Sequence, residues 1–410
     1  MSKENNLECI KSTPIYAELE EFIRFHIQSL IQSVIDEEVE QFLGRKKYQR
    51  KCATESGEGY RNGYGPPRKL STMSGTIEIR KPKLRGLEEK FESVIIPRFK
   101  RRTLAIEKML PELYLHGLSL GDFDLALRGL LGDGAPLSAS SIDRLRGKWE
   151  AEYGAWRHRR LDELKIVYIW ADGIYVKAGL EKEKACLLVV IGADIEGRKT
   201  ILAVESGYRE SSESWASVLR DLKVRGLNQP RLTIADGNMG IWSALSQVYP
   251  ESREQRCWNH KMRNVLDCLP KKWRKEAKDL LLEMFFAKSR ASCEATKKEF
   301  ERRFKRRYPR AVERLNRDWE RMISFFDFPL EHWRHIRTTN VVESPFAAVR
   351  LRTGAAKRYK KVGNAVAVIW KILILQESVF RRLMGLGKLK DVYYNVKYVD
   401  GFKRLRSIAA

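Results

Sequence analysis

The stretch Ile166-Val167-Tyr168-Ile169-Trp170-Ala171-Asp172-Gly173 is a run of large apolar and β-branched residues that stops at a carboxylate and a glycine. Short, and rich in strand formers, it reads as a buried strand that delivers Asp172 at its end and then turns. The same grammar returns in Leu232-Thr233-Ile234-Ala235-Asp236-Gly237. A single Asp-Gly commonly makes a turn and says little. Two of them at the ends of candidate neighbouring strands say more, because a glycine beside each aspartate lets backbone or a bound molecule come close.

Working outward, the first strand covers about 165–171, and further Ile-, Val- and Leu-rich stretches place strands at 185–194, 199–205 and 231–235. Helices are expected over Ser212–Val224 and Ile241–Val248, then a last strand over Arg253–Trp258 and a helix over Asn259–Leu269. Three strands, helix, strand, helix, strand is the order of a ribonuclease-H-like mixed sheet in an α/β fold. Beyond Pro270 the chain becomes charged and helical to about Phe326, which predicts an all-helical insertion. In Arg337-Thr338-Thr339-Asn340-Val341-Val342-Glu343-Ser344, Thr339 or Asn340 suits a helix cap and leaves Glu343 in the first turn.

Carboxylates gathered from two strand ends and a helix are hard oxygen donors suited to Mg²⁺, and two such ions can drive in-line displacement at phosphorus. Asp172, Asp236 and Glu343 are therefore the expected catalytic and metal-binding residues. Mn²⁺ takes similar ligands and is expected to substitute. Cys257-Trp258-Asn259-His260 has a C-x2-H spacing but no obvious second ligand pair, so Cys257 and His260 are expected to pack and hydrogen-bond near the carboxylates rather than hold a structural zinc.

The net charge of +25 is spread unevenly over the 410 residues. Residues 271–321 hold 18 Lys and Arg against 9 Asp and Glu, residues 350–410 hold 15 against 3, and residues 161–260 hold 13 against 14. Basic segments thus bracket a neutral one that carries two of the three carboxylates, which suits a polyanion gripped over a metal centre. Double-stranded DNA is the expected partner. Arg306 and Arg307, in the run Glu301–Tyr308, are expected to follow phosphates, and Arg350, Arg352, Lys357 and Arg358 to steer DNA past Glu343. Among the aromatic residues Trp333 is singled out to stack on an unpaired base, and the flanking His332 and His335 read as a solvated helix edge or as phosphate contacts. No apolar run approaches the roughly 18 residues of a membrane span, and the chain starts without a signal-peptide core, so a soluble protein of the cell interior is expected. Cysteines at 9, 52, 186, 257, 268 and 293 form no disulfide-like framework.

Upstream, apolar spacing over Pro14–Leu43 predicts one long amphipathic helix stopped at Gly44, and Thr76–Arg80 alternates like a strand. The basic, glycine-rich stretch Gly57–Pro67 between them reads equally as a loop laying Arg61 along phosphates and as a turn-rich connector. Residues 104–157 read as three helices, one ending near His116-Gly117, one over Ser119–Leu131 and one from Ser140. A helix-turn-helix reader would aim Ser141, Arg144 and Lys148 at the groove, although the long turn Gly132–Pro136 suits an ordinary helical bundle nearly as well.

Together with Tyr60-Arg61-Asn62-Gly63-Tyr64, Gly75-Thr76-Ile77-Glu78-Ile79 and Gly173-Ile174-Tyr175-Val176-Lys177, these motifs make residues 15–385 or so closely resemble the Mutator-type bacterial insertion-sequence transposases, the family of insertion sequence 256. The resemblance implies a DDE transposase whose ribonuclease-H-like core is interrupted by an all-helical insertion, with Asp172, Asp236 and Glu343 binding divalent metal and Cys257 and His260 forming the family's C-x2-H signature. It implies binding of the element's terminal inverted repeats and of target DNA by a homodimer or larger assembly, in the bacterial cytoplasm and with the nucleoid. The organisation expected is an N-terminal helix and basic strand segment (1–100), a mainly helical DNA-binding region (101–160), the first part of the catalytic core (161–270), the insertion (271–335), the final core helices with Glu343 (336–385) and a basic tail (386–410). Two alternatives stand beside it: a structure-specific nuclease of the same fold, and a DNA-binding regulator with a vestigial acidic cluster.

Overall fold

The computed structural model describes residues 19–49, 59–88, 91–97, 100–118, 125–127, 131, 139–179, 184–207, 209–237 and 239–404. By internal packing the chain divides into two units, Met1–Tyr114 with Leu118–Ile142 and Leu115–Gly117 with Asp143–Ala410. In the first, helix α1 (Leu19–Leu43) lies on a hairpin of β1 (Tyr60–Thr72) and β2 (Gly75–Arg85). Ile27 and Ile31 pack beside the buried Ile35, Leu70, Ile77, Ile79 and Ile96. The Gln32 amide donates to Arg80 O at 3.0 Å and accepts from Arg80 N at 2.9 Å, so the helix satisfies an edge of β2 as a further strand would.

The helix is unbroken over 19–43, and its expected start at Pro14 lies outside the described residues. The glycine-rich stretch departs from expectation, because from Tyr60 onward it is strand rather than loop. Register shifts between Arg61 and Tyr64 and between Tyr64 and Pro67 absorb its glycines and prolines as bulges. Helix α2 (Leu104–Leu115) ends just before His116-Gly117. Most of the expected second helix over Ser119–Leu131, and the turn Gly132–Pro136, lie outside the described residues. Helix α3 (Ala139–Arg157) begins one residue ahead of the expected start at Ser140. Its later turns pack on the second unit's sheet, with Trp149 buried and the Tyr153 hydroxyl donating to Val204 O at 2.8 Å.

That sheet contains β3 (Ile166–Val176), β4 (Ala185–Asp194), β5 (Lys199–Gly207), β6 (Leu232–Ala235) and β7 (Arg253–Arg256), in the order β5-β4-β3-β6-β7. The first three form an antiparallel meander, and β6 and β7 add in parallel on the other side of β3. Helices α4 (Ser212–Val224) and α5 (Met239–Val248) cover one face, setting Trp215, Leu219, Trp242 and Leu245 against Ile169, Ala171, Leu188 and Val190. The alternate β3 residues serve the other face: the Tyr168 hydroxyl meets His332 Nδ1 at 2.7 Å, and Trp170 Nε1 donates to His335 O at 3.1 Å. A central strand covered on both sides needs apolar residues at every position, which is why 166–171 shows no alternation. The result is a mixed α/β protein with a five-stranded mixed sheet, compatible with a ribonuclease-H-like fold.

One boundary needs correcting. Strand β3 does not stop at Asp172 but continues to Val176, still paired with β4 (Asp172 opposite Val189), and the strand that ends beside Asp172 is β6.

Past β7 the chain is helical: α6 (Trp258–Leu266), α7 (Lys271–Phe286), α8 (Arg290–Phe304), α9 (Pro309–Asn316), α10 (Trp319–Met322), α11 (Trp333–Ile336), α12 (Asn340–Glu343), α13 (Phe346–Ala356) and α14 (Val362–Glu377). Fully buried Trp258 meets Phe285 and Trp319 edge-on, which ties α6 to the helices that follow. Residues 386–403, expected within a tail, are folded as α15 (Leu386–Tyr393) and a short hairpin of β8 (Tyr398–Val399) and β9 (Phe402–Lys403). Arg231 donates to Tyr393 O at 2.7 Å and Gly401 N to Phe326 O at 3.1 Å, which fastens this segment to the core. No helix among the described residues is long and apolar enough to cross a membrane.

Candidate active site

The register of the parallel strands builds the site. Ala171 lies opposite Ala235 and Ala235 opposite Arg256, so the next residues, Asp172, Asp236 and Cys257, stand level on three adjacent chains. Cys257 N donates to Ala235 O at 2.7 Å and so keeps this level one residue beyond the strands. Gly237, at φ +94°, then turns the chain sharply away after Asp236.

Asp172 and Asp236 consequently offer carboxylate oxygens within 4.8 Å of each other, and a third acid, Glu210, joins them at the same spacing. Glu210 sits in the connection from β5 to α4, just ahead of Ser211, whose side chain caps α4 by accepting from Ser214 N at 3.2 Å. Sequence reading passed over it because no strand or cap signal marks it. The one trace is Gly173, where a Cβ would lie 2.6 Å from Glu210 Oε1.

Three like charges so close repel by on the order of 3 kcal/mol per pair at an effective dielectric near 20. Burial, then Asp236, push the Asp172 carboxyl up to about 7, with smaller pushes from Glu210 and Glu343 and a counterweight from Gly173 N, which donates to Asp172 Oδ1 at 2.8 Å.

Glu343 is held in a second group. Thr339 N lies 3.3 Å and Thr339 Oγ1 3.1 Å from Cys257 Sγ, and the same hydroxyl is hydrogen-bonded to Glu343 Oε1. A hydroxyl has one proton, so Thr339 links the sulfur and the carboxylate in a chain rather than donating fully to both. His260 Nδ1 stands 3.7 Å from Glu343 Oε1. Its hydrogen bond with Cys257, aided by electrostatic attraction to Cys257, then Glu343 and Asp236, outweighs burial and pushes the imidazole up to about 9. Cys257, His260 and Glu343 bring one ligand atom each within 4.8 Å, three donors rather than the four of a closed structural zinc site. Since Glu343 acts on Asp172, and Asp236 on His260, the two groups are electrostatic neighbours.

Glu343 does fall in the first turn of α12, with its N–H on Thr339 O at 3.0 Å, but the Thr339 side chain makes no cap and serves the Cys257–Glu343 link instead. Trp258 N donates to Arg337 O at 3.0 Å and Asn259 Nδ2 to Asn340 Oδ1 at 3.0 Å, which bolts this turn to α6.

The residues expected along DNA divide by exposure. Tyr359 N donates to Lys177 O at 2.9 Å and Gly179 N to Tyr359 O at 3.0 Å, so the segment with exposed Lys357 and Arg358 borders the end of β3. Arg350, Arg306, Arg307, Arg144 and Lys148 are exposed, and half-buried Arg61 lies 3.6 Å from Glu40. Two expectations fail on burial. Arg352 is only 2% exposed, and Trp333, at 3%, donates its indole N–H to Phe328 O at 2.8 Å and packs on Phe325 and Phe326, so no ring face is open to a base. Nor do the histidines beside it form a solvated edge: His332 is fully buried between Tyr168 and Gly385 O, and His335 Nε2 accepts from Met384 N at 3.3 Å.

A mixed sheet of this order, with acidic side chains gathered where the parallel pairing of β3 and β6 ends, belongs to the class of α/β proteins able to present oxygen ligands to divalent ions. The model of the transposase family named Mutator matches residues 1–377. The chain is 45% identical over 268 residues to the transposase for insertion sequence element IS6120 of Mycolicibacterium smegmatis, spanning 65% of this chain and 83% of the relative. It is 40% identical over 278 residues to the transposase for insertion sequence element IST2 of Acidithiobacillus ferrooxidans, spanning 67% and 94%. A more distant relative, 25% identical over 372 residues and spanning 90% and 93%, is the transposase for insertion sequence element IS256 in transposon Tn4001 of Staphylococcus aureus. The chain belongs to the Mutator family of transposases.

Proposed function

We propose that this chain binds the terminal inverted repeats of its own insertion sequence, cleaves DNA there by two-metal hydrolysis through Asp172, Asp236 and Glu343, and joins the freed 3′-hydroxyl to target DNA. The observation that carries this reading is the strand register that sets Asp172 beside Asp236, with Glu343 in electrostatic reach of both groups. The donor set fits the expected ion, since clustered carboxylate oxygens are the ligands Mg²⁺ and Mn²⁺ take. When bound, Mg²⁺ would supply Lewis-acid stabilisation of charge on the phosphate and ease loss of the nucleophile's proton.

The chain's own residues do the rest. Asp172, within β3, and Asp236, just past β6, supply carboxylate oxygens from rigid backbone, and Thr339 and His260 hold Glu343 in place. Lys357 and Arg358, at the border of β3, hold DNA phosphates over the site, and Arg350, Arg306, Arg307, Arg144, Lys148 and Arg61 extend the contact in a salt-dependent way. Residues 271–335 form an insertion between the parts of the core, the mainly helical N-terminal region recognises the element ends, and two or more copies hold two ends together.

The test supplies the purified chain with Mg²⁺ and paired DNA ends carrying the inverted repeats that flank its gene. Cleavage and joining are expected from the wild type, and DNA binding without cleavage from Asp172→Asn. Cleavage without joining would indicate a nuclease instead, and binding without cleavage by the wild type a regulator.

A further inference from the structure

Resting on that reading, we infer that Glu210 is a fourth acidic residue of the metal site, ligating a divalent ion between Asp172 and Asp236 while Glu343 serves the neighbouring position beside His260. Glu210 comes from a connection that no acidic motif marks, yet its carboxylate lies with those of Asp172 and Asp236 inside one 4.8 Å cluster, while Glu343 falls in a cluster with Cys257 and His260.

Two glycines make that position possible. At Gly173, in β3, a Cβ would lie 2.6 Å from Glu210 Oε1 and 2.7 Å from its carboxyl carbon, so the missing side chain is the space the carboxylate occupies. At Gly240, in the first turn of α5, a Cβ would collide with the Glu210 carbonyl oxygen, so the backbone of the connection rests directly on that helix. The Asp172-Gly173 pair thus does two jobs, one residue offering a carboxylate and the next admitting another. The Tyr175 hydroxyl, two residues further along β3, hydrogen-bonds with Glu210 and holds its direction. A carboxylate on an ordinary surface loop would turn away from two like charges; this one is built in among them, and a divalent cation is the partner that resolves the repulsion.

The experiment measures Mn²⁺ binding to DNA-free protein by electron paramagnetic resonance, alongside cleavage of inverted-repeat DNA, for the wild type, Glu210→Gln, Gly173→Ala and Asp172→Asn. Glu210→Gln keeps shape and hydrogen bonding, and a near-ultraviolet spectrum matching the wild type checks that it folds. The expected result is Mn²⁺ affinity weakened about tenfold or more and cleavage lowered on the order of a hundredfold, with DNA affinity unchanged. Gly173→Ala, which displaces the carboxylate without removing it, should weaken Mn²⁺ binding in the same direction. If Asp172→Asn loses Mn²⁺ binding and cleavage while Glu210→Gln and Gly173→Ala keep both, the assignment of Glu210 is overturned and the wider reading stands. If Asp172→Asn itself binds Mn²⁺ as the wild type does, the acidic cluster is not a cation site and both fall together.

Discussion

The two halves of the candidate site, one of carboxylates alone and one that sets a carboxylate among Cys257, His260 and Thr339, solve opposite problems. Around Asp172, Asp236 and Glu210 acidic groups face one another, and burial first, then the charge of Asp236, pushes the Asp172 carboxyl up to about 7. Around Glu343 the charge is already answered, by a His260 pushed up to about 9 and by the Thr339 hydroxyl. In the proposed mechanism the first half takes up a cation, whereas the second is a polar network tied to the fold. The comparison teaches that the aspartate pair is where an ion gains most, and that Glu343 is a residue positioned in advance.

The largest effect expected from breaking this contrast is on chemistry. Asp172→Asn or Asp236→Asn should lower strand cleavage by on the order of a thousandfold or more, with DNA affinity kept, as read by gel-based cleavage and fluorescence anisotropy. Cleavage by either variant within a few fold of wild type would remove that aspartate from the site.

Next in size is a pH effect on stability. Because the folded Asp172 carboxyl titrates near 7, above its unfolded value, its contribution is fully present below the unfolded pKa and lost as pH rises through about 7. Metal-free protein should therefore lose up to a few kcal/mol between about pH 4 and pH 7 from this group, and the loss should vanish in Asp172→Asn or with saturating Mg²⁺. Denaturant midpoints at a series of pH values check this, and a wild-type slope equal to that of Asp172→Asn would count against it.

Smaller again is Thr339→Val, which keeps the shape but cuts the link from Cys257 to Glu343. Cleavage should fall roughly tenfold to a hundredfold, since Glu343 loses its positioning and not its charge. An unchanged rate would show that the hydroxyl link is incidental. The smallest effect concerns zinc: with three mixed donors at Cys257, His260 and Glu343, purified protein should carry well under one zinc per chain by elemental analysis, and chelation should leave its melting temperature unmoved.

How far all this could be read from the sequence depended on whether a residue's role was local. The strands 185–194 and 199–205, the helix Ser212–Val224 and the Asp236 turn announced themselves, because apolar runs, helical spacing and Asp-Gly act over a few neighbours. The end of β3 did not, since Asp172-Gly173 carries a turn signal that pairing with β4 overrides. Tyr60–Thr72 misled for the same reason, its glycines and prolines being taken up by bulges in a paired strand. Trp333 and Arg352 looked like DNA contacts because type and neighbourhood suggest exposure, whereas packing on Phe325 and Phe326, and burial within α13, is decided by distant chain. Glu210 was invisible, its meaning residing in a gap left by Gly173 on another strand.

That Asp172, within β3, and Asp236, just past the end of β6, together hold a divalent cation can be checked by replacing Mg²⁺ with Fe²⁺ and mapping where locally generated hydroxyl radicals cut the protein backbone. Cuts are expected close to residues 172 and 236, suppressed by excess Mg²⁺ and absent in Asp236→Asn. Cuts confined to other parts of the chain, or an unchanged pattern in Asp236→Asn, would contradict it.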